Sequence, residues 1–113
     1  MHEMSIVSGI LDIALKEARS AEARVIRTVE IEVGRLAGVE IPALEFGFEV
    51  ARRGTLAEEA ELVIHEIPGL GYCLECDKNV AAESFIPTCP DCGGLLPEVL
   101  QGKELRVRSI SVD

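Results

Sequence analysis

Aromatic residues are scarce: the 113-residue chain has no tryptophan, one tyrosine and three phenylalanines. Non-specific binders of single-stranded nucleic acid stack bases on aromatic side chains, and this chain has no such platform. Basic residues are also few. Eleven Lys and Arg stand against 20 Asp and Glu, a formal net charge of −9. That balance argues against a nucleic-acid partner, whose phosphates need a basic face. It suits a soluble protein that handles cations or basic partners. No apolar run reaches the ~18 residues of a membrane span, so none is expected. No Gly-x-x-x-x-Gly-Lys phosphate loop is present, so a phosphate-loop nucleotide site is not expected. No Ser-His-Asp or Cys-His nucleophile arrangement is apparent, and an enzyme is not expected. The chain opens on a charged, amphipathic segment, not a basic and then apolar one, so no secretory signal is expected. The expected compartment is the cytoplasm, where thiols stay reduced for metal.

Four cysteines stand out against this background: Cys73, Cys76, Cys89 and Cys92, the only ones in the chain. They read Cys-Leu-Glu-Cys, twelve residues, then Cys-Pro-Asp-Cys. Two such pairs at this spacing are the sequence form of a tetrahedral four-cysteine zinc site. Gly93 and Gly94 follow the second pair, where a knuckle turn needs positive φ. Pro90 pre-sets a turn. Two disulfides would suit a secreted protein, and a redox site needs only one pair. A rubredoxin-like iron site uses the same ligands; a colourless protein would exclude it.

Apolar residues make up 48% of the chain, enough for one modest core and a small satellite. A helix is predicted over residues 4 to about 22, with Ser5 as N-cap and Ile6, Val7, Ile10, Ile13, Ala14 and Ala18 on its apolar face. Residues 1–3 would then be a short free arm. A strand follows over 24–33, with Val25, Val29, Ile31 and Val33 on one face and Ile26, Thr28, Glu30 and Glu32 on the other. Gly34 ends it. Pro42 marks the first turn of a second helix, which runs to about Arg53 with Gly54 at C′. Leu44, Phe48 and Ala51 form its stripe, with Phe46 and Val50 beside it. Strands are predicted over 59–67 and 103–112, the latter with a phase slip near Ser109. Within the cysteine module, residues 80–85 form a short hairpin strand.

The fold class is therefore α+β: a small three-stranded sheet with two helices and an inserted four-cysteine zinc ribbon, in the order α-β-α-β-[zinc ribbon]-β. The main domain is discontinuous, 1–69 and 103–113, and the zinc-ribbon domain is 70–102. His65 is expected to be a satisfied or surface histidine. Glu75 and Asp91 are expected to face solvent.

The opening Met1-His2-Glu3 offers nitrogen donors in chelating order: the terminal amine, the His2 amide and imidazole, and the Glu3 amide. Four nitrogens in a plane suit nickel(II) or copper(II). Met-His-Glu-Met-Ser, the segment Glu32-Val33-Gly34-Arg35-Leu36, Val39-Glu40 before a helix, the spaced cysteine pairs with Cys-Pro-x-Cys-Gly, and the closing Leu105-Arg106-Val107-Arg108-Ser109-Ile110 together resemble the HypA/HybF family over essentially the whole chain. These are the nickel metallochaperones of nickel-iron hydrogenase maturation. The resemblance implies a nickel site at the N-terminus, a structural zinc ribbon, and delivery with a GTPase partner to the hydrogenase large subunit, with urease a client of some members. By position it implies His2 as nickel anchor with Met1 and Glu3 beside it, Glu40 as ligand or neighbour, and the four cysteines as zinc ligands. One departure stands out: where some members carry His beside the zinc cysteines, this chain has Lys78 and Gly93. The competing expectation is a zinc-ribbon adaptor of transcription or translation. It would need a basic ribbon, yet residues 70–102 hold five acids against Lys78, a net −4 before the thiolates are counted.

Overall fold

The computed structural model describes residues 3–84 and 86–113. The order is α1 (Glu3–Ser20), β1 (Ile26–Gly34), α2 (Ile41–Ala51), β2 (Glu61–Ile67), β3 (Leu70–Cys73), β4 (Lys78–Ala81), β5 (Glu98–Gln101) and β6 (Leu105–Val112). Two three-stranded sheets form, β2-β1-β6 and β4-β3-β5. The last strand returns to the first two, as the α+β reading requires.

Two compact units result. The first holds Met1–Ile31, Val39–His65 and Arg106–Asp113; the second holds Glu32–Gly38 and Glu66–Leu105. Besides residues 70–102, the second unit takes in 66–69, 103–105 and Glu32–Gly38, whose partners are described below.

In the first unit the core is built from Val7, Ile10, Leu11, Ala14 and Ala18 of α1, Ile26, Val29 and Ile31 of β1, and Leu44 and Phe48 of α2. Burying them removes apolar surface from water, the main favourable term in folding. The stripe on α1 is turned slightly from the expected one: Leu11 is buried, while Ile13 is half exposed. Ile26 is fully buried although its expected phase was the mixed face, and Val25 is not buried. Phe46 and Val50 of α2 point outward. The two helices meet at Gly47. A Cβ there would lie 2.9 Å from Met4 Sδ and 3.1 Å from Val7 Cγ2. A Cβ there would require the flexible end of Met4 to move and Val7 to give slightly.

Helix boundaries also differ from expectation. Ser5 lies inside α1 and is not its cap, because Glu3 already belongs to the helix. Glu3 is therefore no part of a free arm; Met1 and His2, the rest of that expected arm, lie outside the described residues, as does Phe85. Helix α2 ends at Ala51 with Arg52 as C-cap, so Gly54, at φ 76°, sits one position beyond C′. Arg52 still serves the helix end: its backbone N–H donates to the Phe48 carbonyl, while its guanidinium donates to the Ala60 carbonyl at 2.6 Å.

The second face of the β2-β1-β6 sheet is polar and internally paired. His65 Nε2 donates to Glu30 Oε1 at 2.7 Å, and Ser109 Oγ donates to Glu30 Oε2 at 3.0 Å. One carboxylate on β1 thus ties β2 to β6. Thr28 pairs with Ser111 and Arg27 with Asp113, and the Arg24 N–H donates to the Asp113 carbonyl at 2.7 Å. His65 is a satisfied histidine, as expected. Burial along β6 follows Leu105 and Val107, then Ile110 and Val112, the phase change expected near Ser109.

The His65 hydrogen bond, then that from Ser109, holds the Glu30 carboxyl below its ordinary pKa. A depressed carboxyl stabilises the fold above its unfolded pKa of ~4.3, and the contribution is lost as pH falls through the folded value. Glu30→Gln should therefore lower the melting temperature at pH 7, and the gap to the parent should shrink below about pH 4. Melting curves across pH 3–7 check this; a gap that persists unchanged at pH 3 contradicts it.

Candidate metal centre

The second unit presents its four sulfurs on two knuckles. Strands β3 and β4 form an antiparallel hairpin that pairs Leu70 with Ala81 and Cys73 with Lys78. The loop between them carries Cys76. In the other knuckle the Cys89 N–H donates to the Gly94 carbonyl, and the Gly93 N–H donates back to the Cys89 carbonyl, each at 2.8 Å. The residue after the second cysteine is left-handed in both: Gly93 has φ 76° and Asp77 has φ 50°. Glycine suits the first, and aspartate is one of the few other residues that tolerates this region. Sequence reasoning found Gly93 but passed over Asp77, whose place after Cys-x-x-Cys matches it.

All four Sγ atoms lie within 4.8 Å of one another. Cys73 and Cys92 stand 3.6 Å apart, and Cys76 and Cys89 stand 3.9 Å apart. Four sulfurs at about 2.3 Å from a central zinc would be about 3.8 Å apart, which these two separations match. Among the described residues this is the one group of three or more His, Cys, Asp or Glu placed to hold a metal.

The thiols differ in their readiness to ionise. Hydrogen bonding to Cys73, then burial and the other two sulfurs, pushes Cys76 up to about 12. Burial also opposes ionisation of Cys89, but the backbone N–H groups of Cys92 and Asp91 outweigh it and bring that thiol down to about 7. The Gly94 N–H favours the Cys92 thiolate, yet Cys73 and burial leave it raised overall. Four adjacent thiolates repel one another, so the set ionises fully only around a cation. Cation binding must then release protons and tighten with rising pH.

What holds the knuckles is a small core of Leu36, Cys73, Val80, Ala82, Cys89 and Leu96. Leu36 comes from the segment between β1 and α2, far away in sequence. Its N–H donates to the Gly102 carbonyl at 2.7 Å, and the Arg35 N–H donates to the Ile67 carbonyl at 2.9 Å. Arg35 also reaches the Glu83 carboxylate at 3.3 Å. Gly34 lies so close to Gly102 that a Cβ on Gly34 would stand 1.9 Å from the Gly102 oxygen. The Glu32-Val33-Gly34-Arg35-Leu36 run is thus a clasp on the cysteine unit, a role its sequence alone did not reveal.

Glu75 and Asp91 are exposed, as expected. Asp91 is also paired with Lys78 at 2.6 Å. The expected nickel residues are distributed differently. Glu3 is in the first turn of α1 and lines an open groove of about 350 Å³ with Met4, Ala43, Phe46 and Gly47. Glu40 is exposed at the N-cap of α2, and its side chain makes no capping hydrogen bond. Met1 and His2 lie outside the described residues.

The sequence model of a family described as hydrogenase/urease nickel incorporation, metallochaperone, HypA matches residues 1–112. A protein of Alkalilimnicola ehrlichii named hydrogenase maturation factor HypA is 48% identical over 113 residues, covering 100% of both chains. Its namesake from Rhodobacter capsulatus is 44% identical over 112 residues, 99% of each chain. The solution structure of the Ni metallochaperone HypA from Helicobacter pylori aligns with a TM-score of 0.66 at 22% identity, covering 99% of this chain and 97% of that one. A second solution structure, of a HypA protein, gives 0.67 at 24% identity, covering 100% and 97%. These two likenesses concern the fold.

Cys73→Ala or Cys92→Ala should abolish stoichiometric metal binding and the amide protection of residues 66–105. A core of six buried side chains is too small to fold a module this size without a metal cross-link. Helices α1 and α2 should persist, because their core lies in the other unit. Metal analysis and hydrogen exchange of each variant decide the matter. Full metal content with native protection in Cys73→Ala would remove the four-sulfur assignment.

Proposed function

The chain belongs to the HypA family of hydrogenase and urease nickel-incorporation metallochaperones, and on that premise we propose that it carries nickel(II) at its N-terminus, holds zinc on its four cysteines, and hands nickel on without catalysis. The observation that carries this reading is the closed sulfur set. Four Sγ atoms within 4.8 Å of one another can fill all four positions around one ion and leave none open for a cargo ion. Cys73, Cys76, Cys89 and Cys92 are the zinc ligands in this reading, and the bound ion supplies a cross-link between the knuckles. Cargo then needs a second, chemically different donor set.

Met1, His2 and Glu3 supply it. The amine, two amide nitrogens and the imidazole close successive chelate rings in a plane that suits nickel. One feature of the fold favours this. Glu3 opens α1, and the first N–H groups of a helix have no intrahelical acceptor, so its amide nitrogen is open to the ion. Glu40 is an exposed carboxylate whose side chain is not spent on capping α2, and it serves as a further ligand or a neighbouring acceptor. A nickel site on a chain end buries little and is released cheaply, as delivery requires.

Delivery follows from charge. The chain is acidic, at −9 overall, and has no phosphate loop. A separate GTPase supplies nucleotide-driven control, and the large subunit of nickel-iron hydrogenase, or a urease maturation protein, receives the ion. The setting is the cytoplasm.

His2→Ala should cut nickel affinity by orders of magnitude while zinc content and melting temperature stay near the parent values. An extra residue before Met1 should do similar damage by moving the amine. Glu40→Ala should cost about 10–100-fold if it acts through a ligand. Nickel titration of untagged variants, with zinc measured in parallel, tests the set. Unchanged nickel binding in His2→Ala would move the nickel site elsewhere.

A further inference from the structure

Between residues 70 and 102 the chain has one basic side chain, Lys78. Its place is set by the hairpin. Lys78 is the register partner of Cys73 at the end of β3–β4, immediately after the left-handed Asp77. It therefore stands at the base of the first knuckle, opposite that knuckle's first sulfur. Its Nζ lies 2.6 Å from Oδ2 of Asp91, which sits between Cys89 and Cys92 in the second knuckle. Arg35 with Glu83, also in this unit, leaves both knuckles untouched. Lys78–Asp91 is an ion pair that joins one knuckle to the other outside the sulfur cluster.

We propose that Lys78 and Asp91 form a latch between the two knuckles, a positioning pair that lengthens the residence of the ion on the four cysteines. The proposal rests on the reading of those cysteines as a zinc site. A four-thiolate ion has no open position, so a competing chelator can enter only after one cysteine swings away. Two sulfurs sit on each knuckle. Once one knuckle begins to leave, the outcome depends on whether it stays close enough to rebind before the chelator takes over. A link outside the metal shell keeps the detached sulfurs at high effective concentration. Lys78–Asp91 is placed to be that link, and it costs the shell no ligand. Both side chains are about half exposed, at 55% and 53%, which keeps the effect modest and salt-sensitive. The alternative route is a field effect, with Lys78 offsetting the negative charge of the nearby sulfurs and Asp91 irrelevant or adverse.

The two routes predict opposite signs for Asp91. The test uses untagged full-length protein with its zinc measured first, then transfer of zinc to a chromogenic chelator. With the latch, Lys78→Met and Asp91→Asn each speed release about two- to fivefold. The double variant is no faster than either single one. Lys78→Arg keeps most of the parent rate, and the charge swap Lys78→Asp with Asp91→Lys restores much of it. High salt speeds release from the parent and leaves Lys78→Met unaffected. Circular dichroism of each zinc-loaded variant confirms that the comparison is between folded chains. The latch is overturned if Asp91→Asn slows release or leaves it unchanged, if the two single effects multiply in the double variant, or if the swap recovers nothing. A parent chain that purifies without zinc would instead overturn the zinc reading on which the latch stands.

Discussion

Four sulfurs drawn within 4.8 Å of one another are the constraint on which the second unit depends. Left to themselves they are poor neighbours. As thiolates they repel and lose solvation, and hydrogen bonding to Cys73, then burial, pushes Cys76 up to about 12. A cation reverses both penalties. The turns that bring the sulfurs together are the costly ones, with Asp77 and Gly93 in the left-handed region. The packing behind them is thin: six buried side chains, two of them the cysteines themselves. Metal ligation is the one interaction in this unit strong enough to repay such a geometry.

The clasp from Glu32–Gly38 shows how the remaining stability is found. Leu36 is inserted into the cysteine core, and the two N–H groups of Arg35 and Leu36 are satisfied by Ile67 and Gly102. The close passage of Gly34 over the Gly102 carbonyl leaves no room for a side chain. A short motif that reads as a strand end and a loop is therefore specified residue by residue: glycine for approach, arginine for Glu83, leucine for the core. One of the runs that carry the resemblance to the HypA family is thus the run that packs Leu36 into the cysteine unit.

The first unit is governed by different forces. Its core is ordinary hydrophobic packing of two helices on a sheet, and its distinctive point is the contact at Gly47, where α2 lies against Met4 and Val7. Met4 and Val7 lie in the first two turns of α1. The outer face of the sheet is laced by Glu30 to His65 and Ser109, which uses up the one histidine that lies within the described residues.

The cysteine pairs, the strand alternation and the helical stripes were legible because each is a local pattern: ligand spacing, period two, period 3.6. The α+β class, the return of the last strand to the first two and the metal-binding role of the four cysteines follow from such patterns alone. Local periodicity could not place Ile26, Ile13 or Leu11 correctly, since which side of a helix or strand is covered depends on what packs there. Nor could it show that Ser5 lies within α1, or that Gly54 falls one position beyond C′. The clasp was hidden for a stronger reason. Leu36 meets Cys73, Cys89 and Leu96 across more than thirty-five residues of chain, and Lys78 meets Asp91 across two knuckles. Contacts of that kind leave no periodic trace, because nothing in the spacing of one segment records the shape of the segment it will meet. They exist only once the strands have paired and the turns have closed.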